Sequence, residues 1–237
     1  MNDVIHQFWR AYLYTSAGAP SGLAVTLWLL VVSVALGFVM ALFLSVGRVS
    51  SNRLVSAPIW VFGYVFRGTP LYVQILFIYA GLYSLEFVRA TPLLNHFFQS
   101  GYKCLILALT LNTAAYTTEI FAGYIRATPP GEIEAARAYG MSRFTMYRRI
   151  ILPSMLRRAL PAYSNEVILM LHATSLAFTA TVPDILKVAR DANSATYQTF
   201  AAYGLAALIY LVVSFTLIGL FRRVEKRTLA YLKAPNH

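Results

Sequence analysis

The sequence predicts an all-α membrane protein with five transmembrane helices. Three observations carry that reading. Of 237 residues, 58 % are hydrophobic and only 12 % are charged, where a soluble domain carries about 25 % charged residues. Apolar runs long enough to cross a bilayer recur along the chain. The formal charge of +11 is spread unevenly between those runs, as a sidedness signal is.

A helix crossing the hydrocarbon needs about 20 mainly apolar residues. Five segments meet or approach that length, at about 21–47, 56–83, 104–125, 160–183 and 201–221. The first is too long for a signal-peptide core and is followed by no polar cleavage region, so it reads as an uncleaved span. An odd number of spans puts the termini on opposite sides. Basic residues choose the orientation. Arg48 and Arg53 follow the first span, and Arg126, Arg137, Arg143, Arg148, Arg149, Arg157 and Arg158 lie between the third and fourth. Arg222, Arg223, Lys226, Arg227 and Lys233 follow the fifth, making 14 on that side. The opposite side has 5, namely Arg10, Arg89, Lys103, Lys187 and Arg190, and Arg67 falls inside a span. Positive charge is retained inside, so the expectation is a periplasmic amino-terminal segment, 1–20, and a cytoplasmic tail, 222–237. The charge excess is accounted for by topology, which argues against nucleic acid as a partner. Cys104 is the one cysteine and cannot form an internal disulfide. No internal repeat is evident, against the inverted-repeat transporters.

The loop at 126–159 is the exception to the oily pattern. Pro129, Pro130 and Gly131 break the third helix. Glu132 and Glu134 are expected in the first turn of a new helix, where carboxylates suit the positive end of the dipole. Ala135, Ala136 and Ala138 favour helix and leave a smooth surface. Gly140 is placed to end that helix in the left-handed conformation and Ser142 to cap the next one. Arg143, Arg148 and Arg149 make the second helix basic, and Pro153 disrupts or kinks it. Two readings fit this element equally: an amphipathic loop on anionic headgroups, or a docking element for a cytoplasmic partner.

Ionisable residues at membrane depth are costly and mark candidate functional positions. Glu166 and Asn165 lie early in the fourth span, with His172 seven residues after Asn165. Glu166 either meets a cationic substrate side chain or is a buried carboxylate that is protonated or paired with Arg67 or a loop arginine. His172 reads as a packed or hydrogen-bonded helix residue, with a ligand role as the alternative. Arg67 precedes a Gly-Thr-Pro break where Thr69 could cap and Pro70 start the next helical portion. Its guanidinium could meet a substrate carboxylate or brace the irregular backbone. Glu119, close to the membrane surface, reads as a structural ion pair. No metal-ligand set, HExxH, GxSxG or GxxxxGK[ST] pattern occurs, so neither a metalloenzyme, a serine hydrolase nor a P-loop ATPase is expected. A membrane-anchored module that binds lipid or a regulator through its basic loop is one reading of such a chain.

Glu134-Ala135-Ala136, three residues, Gly140, nine residues and Ile150-Ile151-Leu152-Pro153 resemble the EAA loop of ATP-binding-cassette importer permeases. Arg67-Gly68-Thr69-Pro70 with Gln74, Tyr116-Thr117-Thr118-Glu119-Ile120 and Asn165-Glu166 resemble marks of its polar amino acid branch. The runs YVFRGTPLYVQ, LNTAAYTTEIFAG and YSNEVILMLHATSLAFTATVPD are similar to the M-type membrane subunits for histidine, lysine, arginine and ornithine. The resemblance implies a type I importer transmembrane domain over 21–221, multi-pass in a bacterial inner membrane. It implies a second, homologous membrane subunit in a heterodimer, an ATPase dimer and a periplasmic amino-acid-binding protein. The chain would bind no cofactor, ATP-Mg being used by the ATPase. Besides lipid, its small-molecule partner would be a polar, basic amino acid. Glu134, Ala135, Ala136, Gly140, Arg143, Leu152 and Pro153 would carry ATPase coupling. Arg67, Thr69, Glu119, Asn165, Glu166 and His172 are the substrate-path candidates. Much of the branch carries a lysine in the fourth span before Thr-Ser-Leu. Here that stretch reads Leu171-His172-Ala173-Thr174-Ser175-Leu176, so no lysine role transfers.

Overall fold

The computed structural model describes residues 2–16 and 18–229. The expected tail at 222–237, with Lys233, therefore lies in part outside the described residues. The chain is helical almost throughout. An amphipathic helix α1 (Asn2–Leu13) leads through a two-residue antiparallel hairpin, β1 (Thr15–Ser16) and β2 (Ala19–Pro20), into the long helix α2 (Gly22–Arg48). Helices α3 (Arg53–Gly68) and α4 (Leu71–Ser84) follow, with short helices α5 (Glu86–Ala90) and α6 (Pro92–Phe98) after them. Helix α7 (Gly101–Arg126) runs to the charged loop, which holds α8 (Pro130–Ala138) and α9 (Arg143–Met146). A π-turn, Tyr147–Ile151, joins α9 to α10 (Leu152–Ala173), which tightens into a 3₁₀ segment, Thr174–Ala180. Helices α11 (Ile185–Thr196) and α12 (Thr199–Thr228) complete the described chain.

Among the described residues three helices are long and apolar enough to cross a membrane: α2, α7 and α12. The expected span at 56–83 is instead a pair, α3 and α4, bent by 105°. The expected span at 160–183 corresponds to the second half of α10 and its 3₁₀ extension. It interrupts its apolar run with Pro161, Asn165, Glu166 and His172. The amino-terminal segment forms the helix α1. Val4 and Tyr12 on α1 are buried against Ile185, Val188, Ala189 and Ala192 of α11 and Ala202 of α12.

Helices α2 and α7 make the centre of the bundle. Their approach requires Gly37, because a β-carbon there would collide with the Thr113 side chain. Val25, Leu29 and Leu30 of α2 meet Leu105, Ala108 and Leu109 of α7 in the main core, which continues into Val167, Met170 and Leu171 of α10. A second core lies at the loop end: Ala41, Phe121, Ile125, Ala136, Met146, Ile151, Met155 and Ala159 pack together. Each is excluded from solvent, so the charged loop is anchored by apolar packing.

At the opposite end, Asp184 caps α11 by accepting from Leu186 N and Lys187 N, both at 3.0 Å. Its carboxylate also accepts from Tyr210 Oη of α12 at 3.4 Å, and Asp184 is fully buried. That burial pushes its carboxyl up to about 6, against the opposing pull of the hydrogen bonds it accepts.

Candidate functional site

Three polar assemblies sit on this scaffold, and the first is the elbow between α3 and α4. Thr69 leaves α3 in an extended conformation and Pro70 precedes α4, because proline cannot supply the N–H that a continuing helix needs. The freed backbone groups are satisfied from within. Gln74 Nε2 reaches Phe66 O at 2.8 Å, Thr69 O at 3.1 Å and Thr69 Oγ1 at 2.8 Å. Asn112 Nδ2 of α7 adds bonds to Phe66 O at 3.3 Å and Gln74 Oε1 at 3.2 Å. Thr69 does not cap α4 as the sequence suggested. Its hydroxyl turns back and donates to Val65 O at 2.8 Å, closing α3.

Bracing of the elbow is thus done by two buried amides and not by the Arg67 side chain, which is exposed. Arg67 instead lies over the Tyr116 ring at 5.6 Å, and Tyr116 Oη donates to Arg67 O at 3.4 Å. A cavity of about 500 Å³ opens beside it, lined by Trp60, Tyr64, Arg67, Arg48 and Glu119 among others. Glu119 does form an ion pair. Its partner is Arg48 of α2, with Nε 2.6 Å from Oε1, so 71 residues separate the two charges in the chain.

The second assembly is a smaller cavity of about 200 Å³ between α7 and α10, lined by Asn112, Tyr116, Glu166, Leu169, Met170 and Ala173. Glu166 is 7 % exposed and lies beside the Thr113 side chain of α7. The pairing of Glu166 with Arg67 or a loop arginine is not found: among the described residues the salt bridges are Arg48–Glu119 and Lys187–Asp191. The structure also separates the fourth-span candidates. Asn165 is exposed, and His172 turns to α12, its Nε2 3.1 Å from Ser214 Oγ. Glu166, one residue from Asn165, points about 100° away around the helix. The site residues missed by sequence reasoning are Asn112, Thr113, Tyr116 and Arg48. An asparagine in the middle of an apolar run was the available signal for the first of them.

The third assembly is the loop. Helix α8 starts at Pro130, which serves as its first residue because that position needs no N–H donor. Glu132 is in the first turn but Glu134, two residues on, lies past it, so the dipole argument applies to the former alone. The helix ends in a double bond pattern, Gly140 N to Arg137 O at 2.9 Å and Met141 N to Ala136 O at 3.1 Å. Gly140 adopts φ +69° there, as this termination demands. Ser142 Oγ accepts from Thr145 N at 3.3 Å and caps α9. Glu134, Ala135 and Arg143 are exposed, whereas Ala136 is buried in the loop-end core, with Leu152 packed against that core. Pro153 does not break the helix: the π-turn before it absorbs the missing donor and α10 continues. Tyr139 and Phe144 project from this face, 85 % and 74 % exposed.

Residues 11–230 match the family of binding-protein-dependent transport system inner membrane components. The chain is 64 % identical over 233 residues to the histidine/lysine/arginine/ornithine transport system permease protein HisM of Escherichia coli K12, covering 98 % of each. It is 44 % identical over 216 residues to the octopine transport system permease protein OccM of Rhizobium radiobacter, covering 91 % of this chain and 88 % of that relative. A crystal structure of an amino acid ABC transporter with histidines superposes with TM-score 0.74 at 33 % identity, over 85 % of this chain and 90 % of that one. The MetNI methionine transporter shares the fold at 17 % identity, with TM-score 0.72, over 86 % of this chain and 93 % of that one. The chain therefore belongs to the inner-membrane permease components of binding-protein-dependent ABC importers and has their type I fold.

Proposed function

We propose that this chain is a permease subunit that carries basic amino acids, namely histidine, lysine, arginine and ornithine, into the cell. The observation that carries the reading is the 64 % identity to HisM over 98 % of both chains. In this reading α2, the α3–α4 pair, α7, α10 with its 3₁₀ extension, and α12 are five spans. The 14-to-5 distribution of basic residues puts α1 in the periplasm and the loop in the cytoplasm.

The loop helix α8 docks on an ATPase dimer that hydrolyses ATP-Mg, and this chain contributes no catalytic group. A periplasmic binding protein delivers substrate, and a second, homologous but different membrane subunit completes the pathway. Two features support a cationic substrate. Glu166 sits in a cavity with neutral polar neighbours, where a desolvated carboxylate favours a positive partner. Arg67 and the Arg48–Glu119 pair line the larger cavity, where a carboxylate and an ammonium or guanidinium both find complements.

The test is mass analysis of the complex purified through a tag on this chain, followed by uptake of labelled lysine after reconstitution. The expected result is one copy of this chain, one of a related permease, two ATPases and lysine import that depends on the binding protein. A chain that purifies without an ATPase would overturn the reading.

A further inference from the structure

Arg158 lies one and a half turns into α10, and the substrate-path and coupling assignments leave it unused. Its guanidinium reaches across the neck of the loop to the end of α7. Nη1 donates to Ala127 O at 2.6 Å, and Nη2 donates to Tyr124 O and Thr128 Oγ1, each at 3.1 Å. Its Nε is buried and has no hydrogen-bond partner among the described residues. A helix leaves its last four carbonyls unsatisfied. In α7 those of Gly123 and Ile125 are taken by Ala127 N and Thr128 N, and Arg158 supplies donors to Tyr124 and to the cap residue Ala127. A cation at this end also meets the negative pole of the helix, and the fixed fork of the guanidinium spans three oxygens that an ammonium cannot span.

The contact spans 31 residues of sequence, and everything between its ends is the cytoplasmic loop. The loop is therefore closed at its neck. The two helices so joined are the two that wall the smaller cavity: Asn112 and Tyr116 come from α7, Glu166 and Met170 from α10. Glu166 stands eight residues beyond Arg158, about 12 Å along the helix.

We propose that Arg158 is a positioning residue for coupling: it locks the loop neck so that a displacement of α8 moves α7 and α10 together. The two cavity walls then shift in step. This rests on the coupling role proposed above for the loop.

The test uses the whole complex in proteoliposomes, with R158A, R158K and R158Q. Three quantities are read: basal ATP hydrolysis, amino acid imported per ATP hydrolysed, and amide exchange over 124–131. For R158A the expectation is normal basal hydrolysis, faster exchange at the neck and import per ATP lowered about tenfold, the scale of one hydrogen bond to a charged group. R158K, which keeps the charge and loses the fork, should recover part of the ratio and R158Q less. Faster neck exchange with an unchanged import-per-ATP ratio, in whichever of the three assembles, would overturn the proposal. Gly140→Val in the same assay separates the two layers. If it lowers the ratio while the Arg158 variants do not, only the neck role fails. If neither lowers it, the coupling role of the loop fails as well.

Discussion

Asn112 Nδ2 donates to Gln74 Oε1 at 3.2 Å, so the elbow in the second segment is held by a residue of α7. Gln74, on the α4 side of the break, in turn holds Phe66 O and Thr69 O at the end of α3. Gln74→Leu leaves Thr69 O without its donor and Asn112 Nδ2 without its Gln74 acceptor, with Phe66 O then held by Asn112 alone. A loss of about 1–3 kcal/mol is expected. Asn112→Ala should cost less, because Gln74 still bonds Phe66 O. Thermal unfolding of the solubilised complex should order the variants this way.

Gly140→Val is expected to strain the left-handed turn by about 1–2 kcal/mol. A β-carbon there meets nothing within 4 Å, so insertion and expression should stay normal. Glu134→Lys changes an exposed charge beyond the first turn, so its effect should fall on docking and not on the helix. Both variants should lower transport and weaken stimulation of the ATPase by loaded binding protein. Wild-type transport in both would remove the loop from the coupling path.

Glu166→Gln keeps the shape of the side chain and removes its charge. Transport of lysine or arginine should weaken by about 1.5–3 kcal/mol in apparent affinity. Histidine, mostly neutral at pH 7, should be affected less. Competition uptake assays on a complex of normal assembly decide this. Equal transport of all substrates would move recognition of the cationic tail to another subunit.

Asp184 predicts a pH effect at the other end. Its folded-state carboxyl, near 6, lies above the ordinary 3.8. The folded form therefore binds the proton more tightly than the unfolded one. Stability from this group is present below pH 4 and is lost as pH rises through 6, by about 3 kcal/mol. Asp184→Asn should flatten the unfolding midpoint between pH 4 and 6.

Sidedness is testable because Cys104 is the one cysteine and is buried. An impermeant thiol reagent on right-side-out vesicles should label Asp3→Cys and leave Pro235→Cys unlabelled. Equal labelling would defeat the orientation.

The apolar runs and the loop were legible because both are local signals: hydropathy over a span, and proline, glycine and serine at the ends of α8 and α9. The break at Gly68-Thr69-Pro70 was legible for the same reason. Its 105° angle was not, because the angle is set by Gln74 and Asn112, which lie 38 residues apart. Glu119 could be read as paired from its depth, but its partner Arg48 belongs to another helix. Likewise Glu166 and Asn165 are adjacent in sequence, yet helix geometry turns one to the cavity and the other away. Contacts between helices depend on how each is rotated, and local composition does not record that rotation.

The π-turn at Tyr147–Ile151 has a consequence for how this protein tolerates length changes. Each residue added to a helix rotates what lies beyond it by about 100°, and the wide turn has already consumed one such step. The nine positions between Gly140 and Ile150 therefore act as a phase setting between α8 and the wall of the small cavity. Almost any side chain on the solvent face can change without disturbing that phase. A single insertion or deletion would aim α8 in a different direction relative to α10, even with every contact residue still present.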